Sequence, residues 1–174
     1  MYQDSVRRIL IIGLTISLLV TDITAIASDN TIEIPSGFEV SVIDSGKEIS
    51  FDKDQRGVVV LHIWASWCSY CRREHKLWQH LTKKKGVLYV AATFREQPEN
   101  SMKYLQAQPA PFDRYVYLDP TNAKKISART IPDTLLICGN KILYRHTGSM
   151  QKKSFNQFLD TELELAIKQC EQMT

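Results

Sequence analysis

A strong charge of either sign is missing from this sequence: 22 lysines and arginines stand against 19 aspartates and glutamates, a net charge of +3. That excludes an electrostatic footprint built for nucleic acid, which needs a far more basic domain. Seven glycines and six prolines in 174 residues are too few for collagen-like or linker sequence. Four cysteines are too few to knot a scaffold that has no core of its own. No internal repeat, low-complexity stretch or Pro/Gly/Ser linker divides the chain, and 174 residues make one domain at roughly 100–200 residues each. With 44% hydrophobic and 24% charged residues, wholesale disorder is excluded as well.

What is present begins at the N-terminus. Arg7 and Arg8 precede an apolar run from Ile9 to Val20, and Ala25-Ile26-Ala27 follows. A basic head, a short apolar stretch and an A-x-A site are the parts of a secretory signal peptide. The division is therefore a signal peptide over residues 1–27 and a domain over residues 28–174. The rival is an uncleaved anchor over residues 9–26, but Asp22 interrupts it, and a bilayer span needs about 20 mainly apolar residues. Both readings put the domain outside the cytoplasm, with the bacterial periplasm as the expected compartment, where disulfides form and persist. A membrane enters only if the segment stays attached.

Along the domain, Phe38 to Val42 alternates, Asp44-Ser45-Gly46 turns, and Glu48 to Phe51 returns, which predicts a hairpin. Val58 to Trp64 is continuously apolar except for His62 and suits a strand buried on both faces. A helix is expected from Cys68 to about Lys83, its lysine-rich end (Lys83-Lys84-Lys85) favourable at the negative pole of the dipole. Val87 to Ala92 predicts a second buried strand, Pro98 to Ala107 a helix, Tyr115 to Leu118 a short strand and Asn122 to Arg129 a short helix. Thr134 to Cys138 and Lys141 to Arg145 flank Gly139-Asn140, a strong hairpin turn. The chain closes with an amphipathic helix from about Lys152 to Gln169, with Phe155, Phe158, Leu159, Leu163, Ala166 and Ile167 on one face. Strands alternating with helices, then a terminal hairpin, predict an α/β fold: an open mixed sheet flanked by helices on both faces.

Chemistry concentrates in Trp64-Ala65-Ser66-Trp67-Cys68-Ser69-Tyr70-Cys71-Arg72, where a buried strand hands over to a helix. Zinc would need about four ligands, and no second C-x-x-C or finger-spaced His pair follows. A purely structural disulfide between residues three apart at a helix start would be odd. Redox chemistry accounts for the placement. The unpaired N–H groups of a helix start favour a thiolate at Cys68, and Cys71, one turn inside, is placed to attack a mixed disulfide formed there.

The segment Trp64-Ala65-Ser66-Trp67-Cys68-x-x-Cys71-Arg72-x-Glu74 resembles the active-site segment of the thioredoxin superfamily, in its TlpA-like branch of extracytoplasmic thiol–disulfide oxidoreductases, which includes those serving cytochrome c maturation. The resemblance covers nearly the whole domain. It implies a thioredoxin fold with a leading β-hairpin and a helix–strand insertion after Ala92. It implies Cys68 as nucleophile, Cys71 as resolving cysteine and Pro132 as the cis-proline against the pair. Trp67 would add apolar surface for the substrate. His62 lies where thioredoxins carry a buried carboxylate, so it is either a proton relay for Cys71 or a strand histidine held by a hydrogen bond. Tyr70 and Lys76 stand where prolines are usual, which predicts a less kinked helix. Ser69-Tyr70 leaves open whether the chain is a reductase or an oxidase.

The resemblance implies no cofactor and no metal. The partners it implies are disulfide-bonded or dithiol client proteins and an upstream, membrane-embedded thiol–disulfide electron partner. The other reading is a binding or assembly module with a static disulfide. Peroxidase chemistry would need a lone peroxidatic cysteine in a Pro/Thr-rich loop, and an isomerase a dimerisation domain for which no length remains. Trp64 and Trp78 are expected as core or site walls, and His75, His80 and His146 as surface or helix residues. Cys138 and Cys170 end the hairpin's first strand and the last helix, at the end of the sheet away from Cys68. They are either bridged, which needs Cα atoms roughly 4.4–6.8 Å apart, or simply unpaired.

Overall fold

The computed structural model describes residues 31–43, 45–51 and 57–173. The signal-peptide reading of residues 1–27, and Asp44 of the expected turn, lie outside the described residues. Eight strands form one mixed sheet: β1 (Ile32–Glu33), β2 (Glu39–Val42), β3 (Glu48–Ser50), β4 (Val58–Trp64), β5 (Val87–Phe94), β6 (Arg114–Leu118), β7 (Asp133–Cys138) and β8 (Lys141–Thr147). Their spatial order is β1-β8-β7-β4-β5-β6-β2-β3. β4, β5 and β6 run parallel, joined by α1 (Ser69–Trp78) and α2 (Pro98–Ala107), as parallel neighbours require a crossover. The β2–β3 hairpin and the β7–β8 hairpin complete the two sides with antiparallel pairing. Among the described residues, no helix is long and apolar enough to cross a membrane.

β4 is buried at every position, because its side chains alternate between two cores. Val58, Val60 and Trp64 join Trp78, Tyr89, Phe155 and Phe158 on one face. Val59, Leu61 and Ile63 join Phe38, Val116, Leu135 and Ile137 on the other. The second face is closed by α3 (Pro120–Lys125), which buries Ala123. Each fully buried aliphatic side chain is worth about 1.5–3 kcal/mol, so β4, which serves both cores, anchors the sheet. At its start Gly57 has φ +83°, and a Cβ there would meet the carbonyl oxygen of Gly86 at 2.8 Å. Only glycine permits that approach of the two strand entries.

Three helices differ from expectation. The first ends at Trp78, not near Lys83. Its closing residues tighten into turns, with His80 N–H on Leu77 O and Leu81 N–H on Trp78 O. The lysines beyond are therefore not a helix end. Lys83 pairs with Asp113 and Lys84 with Glu164, tertiary contacts that hold them in a loop. The helix expected over 122–129 is α3, which starts at Pro120 behind the N-cap Asp119 and stops at Lys125, so residues 126–129 are free to form the approach to Pro132. The C-terminal helix runs on to Met173 as α4 (Lys152–Gln157), a π-helical turn (Phe158–Glu162) and α5 (Leu163–Met173). Its buried positions are 155, 158, 163, 166 and 170. The step of five from 158 to 163 would leave the face of a regular α-helix, and the wider π turn brings Leu163 back to it.

Candidate active site

Cys68 is the N-cap of α1, with φ −77° and ψ 113°, and its sulfur accepts the Cys71 N–H at 3.2 Å. The helix start is thus capped by the thiol itself, where anionic character is best tolerated. Cys68 is 6% exposed and Cys71 is fully buried, and both are free thiols. The loop before them is braced from β5's end. Glu96 Oε1 accepts from Ser66 N–H (2.8 Å) and Thr93 Oγ1 (2.8 Å), and its Oε2 accepts from Ser66 Oγ (2.6 Å). Trp67 Nε1 donates to Arg95 O at 3.4 Å.

Across from the cysteines, the Ile131–Pro132 peptide is cis, and Ile131 O lies 3.9 Å from Cys68 Sγ. The loop before Pro132 is clamped by Arg145. Its guanidinium donates to Ile126 O (2.9 Å) and Ser127 O (3.0 Å) and grips the buried Asp133 carboxylate. A groove of about 380 Å³ opens beside the thiol, lined by Trp67, Cys68, Tyr70, Arg95, Arg129 and Ile131. Trp67 and Tyr70 are 57% and 58% exposed beside it.

Beneath the pair lies a buried polar cluster. Glu74, one turn after Cys71, is 1% exposed. Its Oε2 accepts the Met150 N–H (2.7 Å) and its Oε1 the Trp78 Nε1–H (3.1 Å). Burial pushes the Glu74 carboxyl up to about 7, against those hydrogen bonds, which favour the anion. Burial also pushes the Cys71 thiol up, aided by the Cys68 hydrogen bond and the charges of Cys68 and Glu74. His62, on β4, reaches Thr134 Oγ1 at 3.1 Å and Glu74 Oε1 at 3.7 Å. Burial, with a smaller contribution from His75, lowers His62 to about 3. It is therefore neutral near pH 7, and its contact with Glu74 is polar rather than an ion pair. The structure brings His62 to Glu74, a residue of the cysteine helix itself.

His75 is a helix residue, one of the two places the sequence offered for it, and lies on the buried side of α1. It is 3% exposed, stacked on Trp64 and edge-on to Tyr104, with Nε2 at 2.7 Å from Gln108 O. Burial lowers its affinity for a proton. His80 is exposed and His146 half-buried. Trp64 and Trp78 are core residues. The role of Glu74 escaped sequence reasoning, although a signal existed: 71, 74, 75 and 78 are the buried positions of α1, an i, i+3, i+4, i+7 stripe that polar residue types disguise. At the far end of the sheet Cys138 and Cys170 are joined by a disulfide, Cα atoms 5.7 Å apart.

The Redoxin family model matches residues 27–160. The chain is 27% identical over 120 residues to the thiol:disulfide interchange protein DsbE of Pasteurella multocida, an alignment covering 62% of this chain and 64% of that protein. It is 34% identical over 118 residues to a DsbE homolog of Paracoccus denitrificans, covering 65% and 63%. The chain thus spans less than two thirds of the length of these curated relatives. Among solved structures, a Chlorobium tepidum protein described as a thiol:disulfide interchange protein DsbE superposes with a TM-score of 0.61 at 26% identity, over 78% of this chain and 95% of that one. The fold is thioredoxin-like.

Proposed function

The chain belongs to the Redoxin family, and from that premise we propose that it is an extracytoplasmic thiol–disulfide oxidoreductase of the TlpA-like branch, acting as a reductase through Cys68-Ser69-Tyr70-Cys71. The observation that carries this reading is the asymmetry of the pair: Cys68 caps a helix at the rim of an open groove, and Cys71 is sealed behind it next to Glu74. The names of the relatives, interchange proteins of the DsbE type, support the same reading. Its partners are a disulfide-bonded client, of the kind cytochrome c maturation presents, and an upstream membrane-embedded dithiol. Its place is the periplasm, reached by the N-terminal signal over residues 1–27.

The Cys68 thiolate attacks one sulfur of a client disulfide. A Cys68–client bond forms as the client's own S–S bond breaks, and the client's second sulfur leaves as thiolate. Cys71 then gives its proton to the Glu74 carboxylate, whose raised pKa near 7 suits a base at neutral pH. Cys71 attacks Cys68 Sγ, the intramolecular disulfide forms, and the client's first sulfur leaves. The client has gained two electrons and the pair has lost two, which the upstream dithiol restores. His62, neutral, is held by Thr134 beside Glu74, and Pro132 lies against Cys68 where the client strand enters. Trp67 forms the apolar wall.

The test is trapping. A Cys71→Ser variant should accumulate mixed disulfides with client proteins, and a Cys68→Ser variant none; the reverse pattern would exchange the two roles. The reduction potential of the Cys68–Cys71 pair then decides direction: below the compartment's poise the protein reduces its clients, above it the protein oxidises them.

A further inference from the structure

The groove beside Cys68 carries a charge pattern that thiol exchange does not require. Arg95 and Arg129 both line it, both are exposed, and among the described residues neither has a carboxylate partner within ion-pair distance. The acids of the neighbourhood are occupied elsewhere. Glu96 accepts from Ser66 and Thr93, Glu74 is buried under Met150 and Trp78, and Asp133 is held by Arg145.

Arg95 is also set in place rather than loosely displayed. Its φ of +55° is uncommon for a residue with a side chain, and the turn is closed by Glu96 on one side and by the Trp67 indole on the Arg95 carbonyl. Its guanidinium lies over the Phe94 ring, 4.7 Å from the centroid. A guanidinium held over a ring in this way keeps N–H donors that can pair with a carboxylate. On the helix side Arg73 is stacked in the same way on Tyr70, 4.3 Å from the centroid. The groove beside Cys68 therefore combines two arginines, Arg95 and Arg129, with the apolar side chains of Trp67, Phe94 and Ile131.

We propose that this groove selects client segments that are acidic beside the reacting cysteine, with Arg95 and Arg129 as the specificity-determining residues. The inference rests on the exchange reading above. The occupant is an extended client strand carrying aspartate or glutamate one to three residues from its cysteine, within about 10 Å of it at about 3.3 Å per residue. Carboxylates there meet two guanidiniums without an acidic partner, and basic residues meet like charge.

Two synthetic peptides with the same intramolecular disulfide, one flanked by Asp and Glu and the other by Lys, are reduced by the reduced full chain. At low salt the second-order rate constant for the acidic peptide should exceed that for the basic one by about tenfold, and the gap should close as added salt screens it. Reversing charge at both positions (Arg95→Glu with Arg129→Glu) should invert the order. Arg129→Glu alone, in a loop with ordinary backbone, keeps the test open if the Arg95 turn does not tolerate change, and should at least level the two rates. Equal rates in the wild-type chain, or an order that survives charge reversal, overturn the selectivity and leave the exchange reading intact. Reduction of neither peptide overturns both.

Discussion

The two cysteine pairs sit at opposite ends of one strand. Val58, the first residue of β4, pairs across the sheet with Cys138, and Ile63, near its last, pairs with Asp133 beside the active-site loop. Seven residues of strand, at about 3.3 Å each, separate a bridged end from a reactive one. Cys138 and Cys170 come from a strand and a helix 32 residues apart in sequence, and both are buried among apolar side chains. Cys68 and Cys71 are three residues apart on a single helix start, with a groove above and an ionisable acid below. The same residue type stands in two settings: only one end supplies access, a helix N-terminus and a buried carboxyl of raised pKa. The other supplies only proximity.

The comparison breaks most sharply at Cys68, the proposed nucleophile. Cys68→Ser should abolish thiol exchange with any disulfide substrate, while stability to denaturant stays close to wild type, because an N-cap serine replaces an N-cap thiol. Replacing both Cys138 and Cys170 by alanine should do the opposite. Removing a cross-link that closes a loop of this length costs about 3–4 kcal/mol in the chain-entropy model, read as a lower urea midpoint at unchanged slope, with exchange by the folded protein retained. If exchange falls with the bridge, the two ends are coupled through β4 and the division fails.

Glu74 separates the two ends by pH. Glu74→Gln should slow resolution of the mixed disulfide about a hundredfold at pH 7, the range for loss of a positioned base, and leave formation of the first adduct near wild type. Stop-flow detection of adduct and product distinguishes the steps. Stability carries a second signature. Because the folded-state Glu74 carboxyl is raised to about 7, its protonated form is favoured by folding. That contribution is fully present below the unfolded value of about 4.3 and is lost as pH rises through about 7. His62, lowered to about 3, acts in the opposite sense: its contribution is present above about 6.5 and is lost as pH falls toward 3. Denaturation measured from pH 4 to 9 should therefore show the alkaline decline flattened in Glu74→Gln and the acid decline flattened in a His62→Gln variant. No such dependence is expected from the disulfide end.

Much of this was readable beforehand, for identifiable reasons. Val58 to Trp64 suited a doubly buried strand, and Gly139-Asn140 was a strong hairpin signal, since run length and turn chemistry are local properties. The Cys-x-x-Cys at a strand-to-helix junction carried the chemistry in its placement. What stayed hidden was tertiary. The end of α1 at Trp78 follows from Lys83 and Lys84 finding Asp113 and Glu164, residues 30 and 80 positions away. Glu74 and His75 were hidden by their own polarity, because a carboxylate and an imidazole on a core stripe look like solvent-facing helix residues until Met150, Trp78 and Gln108 supply their hydrogen bonds. Arg145 likewise looks like a surface strand residue until Asp133 and the Ile126 and Ser127 carbonyls are seen around it.

The smallest effect tests whether the comparison is between ends or between faces of the sheet. α3 begins after β6, at the end of the parallel strands where the thiols lie, but it packs on the aliphatic face, away from Glu74 and His62. Its start is capped by Asp119, whose Oδ1 accepts the N–H groups of Thr121 (2.7 Å) and Asn122 (3.1 Å). Removing such a cap costs about 1 kcal/mol, which for a domain of this size lowers Tm by about 2–4 °C. Asp119→Ala should show that loss with the exchange rate within about twofold of wild type, since the Cys68 loop is braced by Glu96 and the Pro132 loop by Arg145, neither of which depends on the cap. A rate that drops with the cap would mean that α3 holds residues 126–131 in position. The active site would then belong to the whole end of the sheet, both faces included, and not to the face that carries the buried acid.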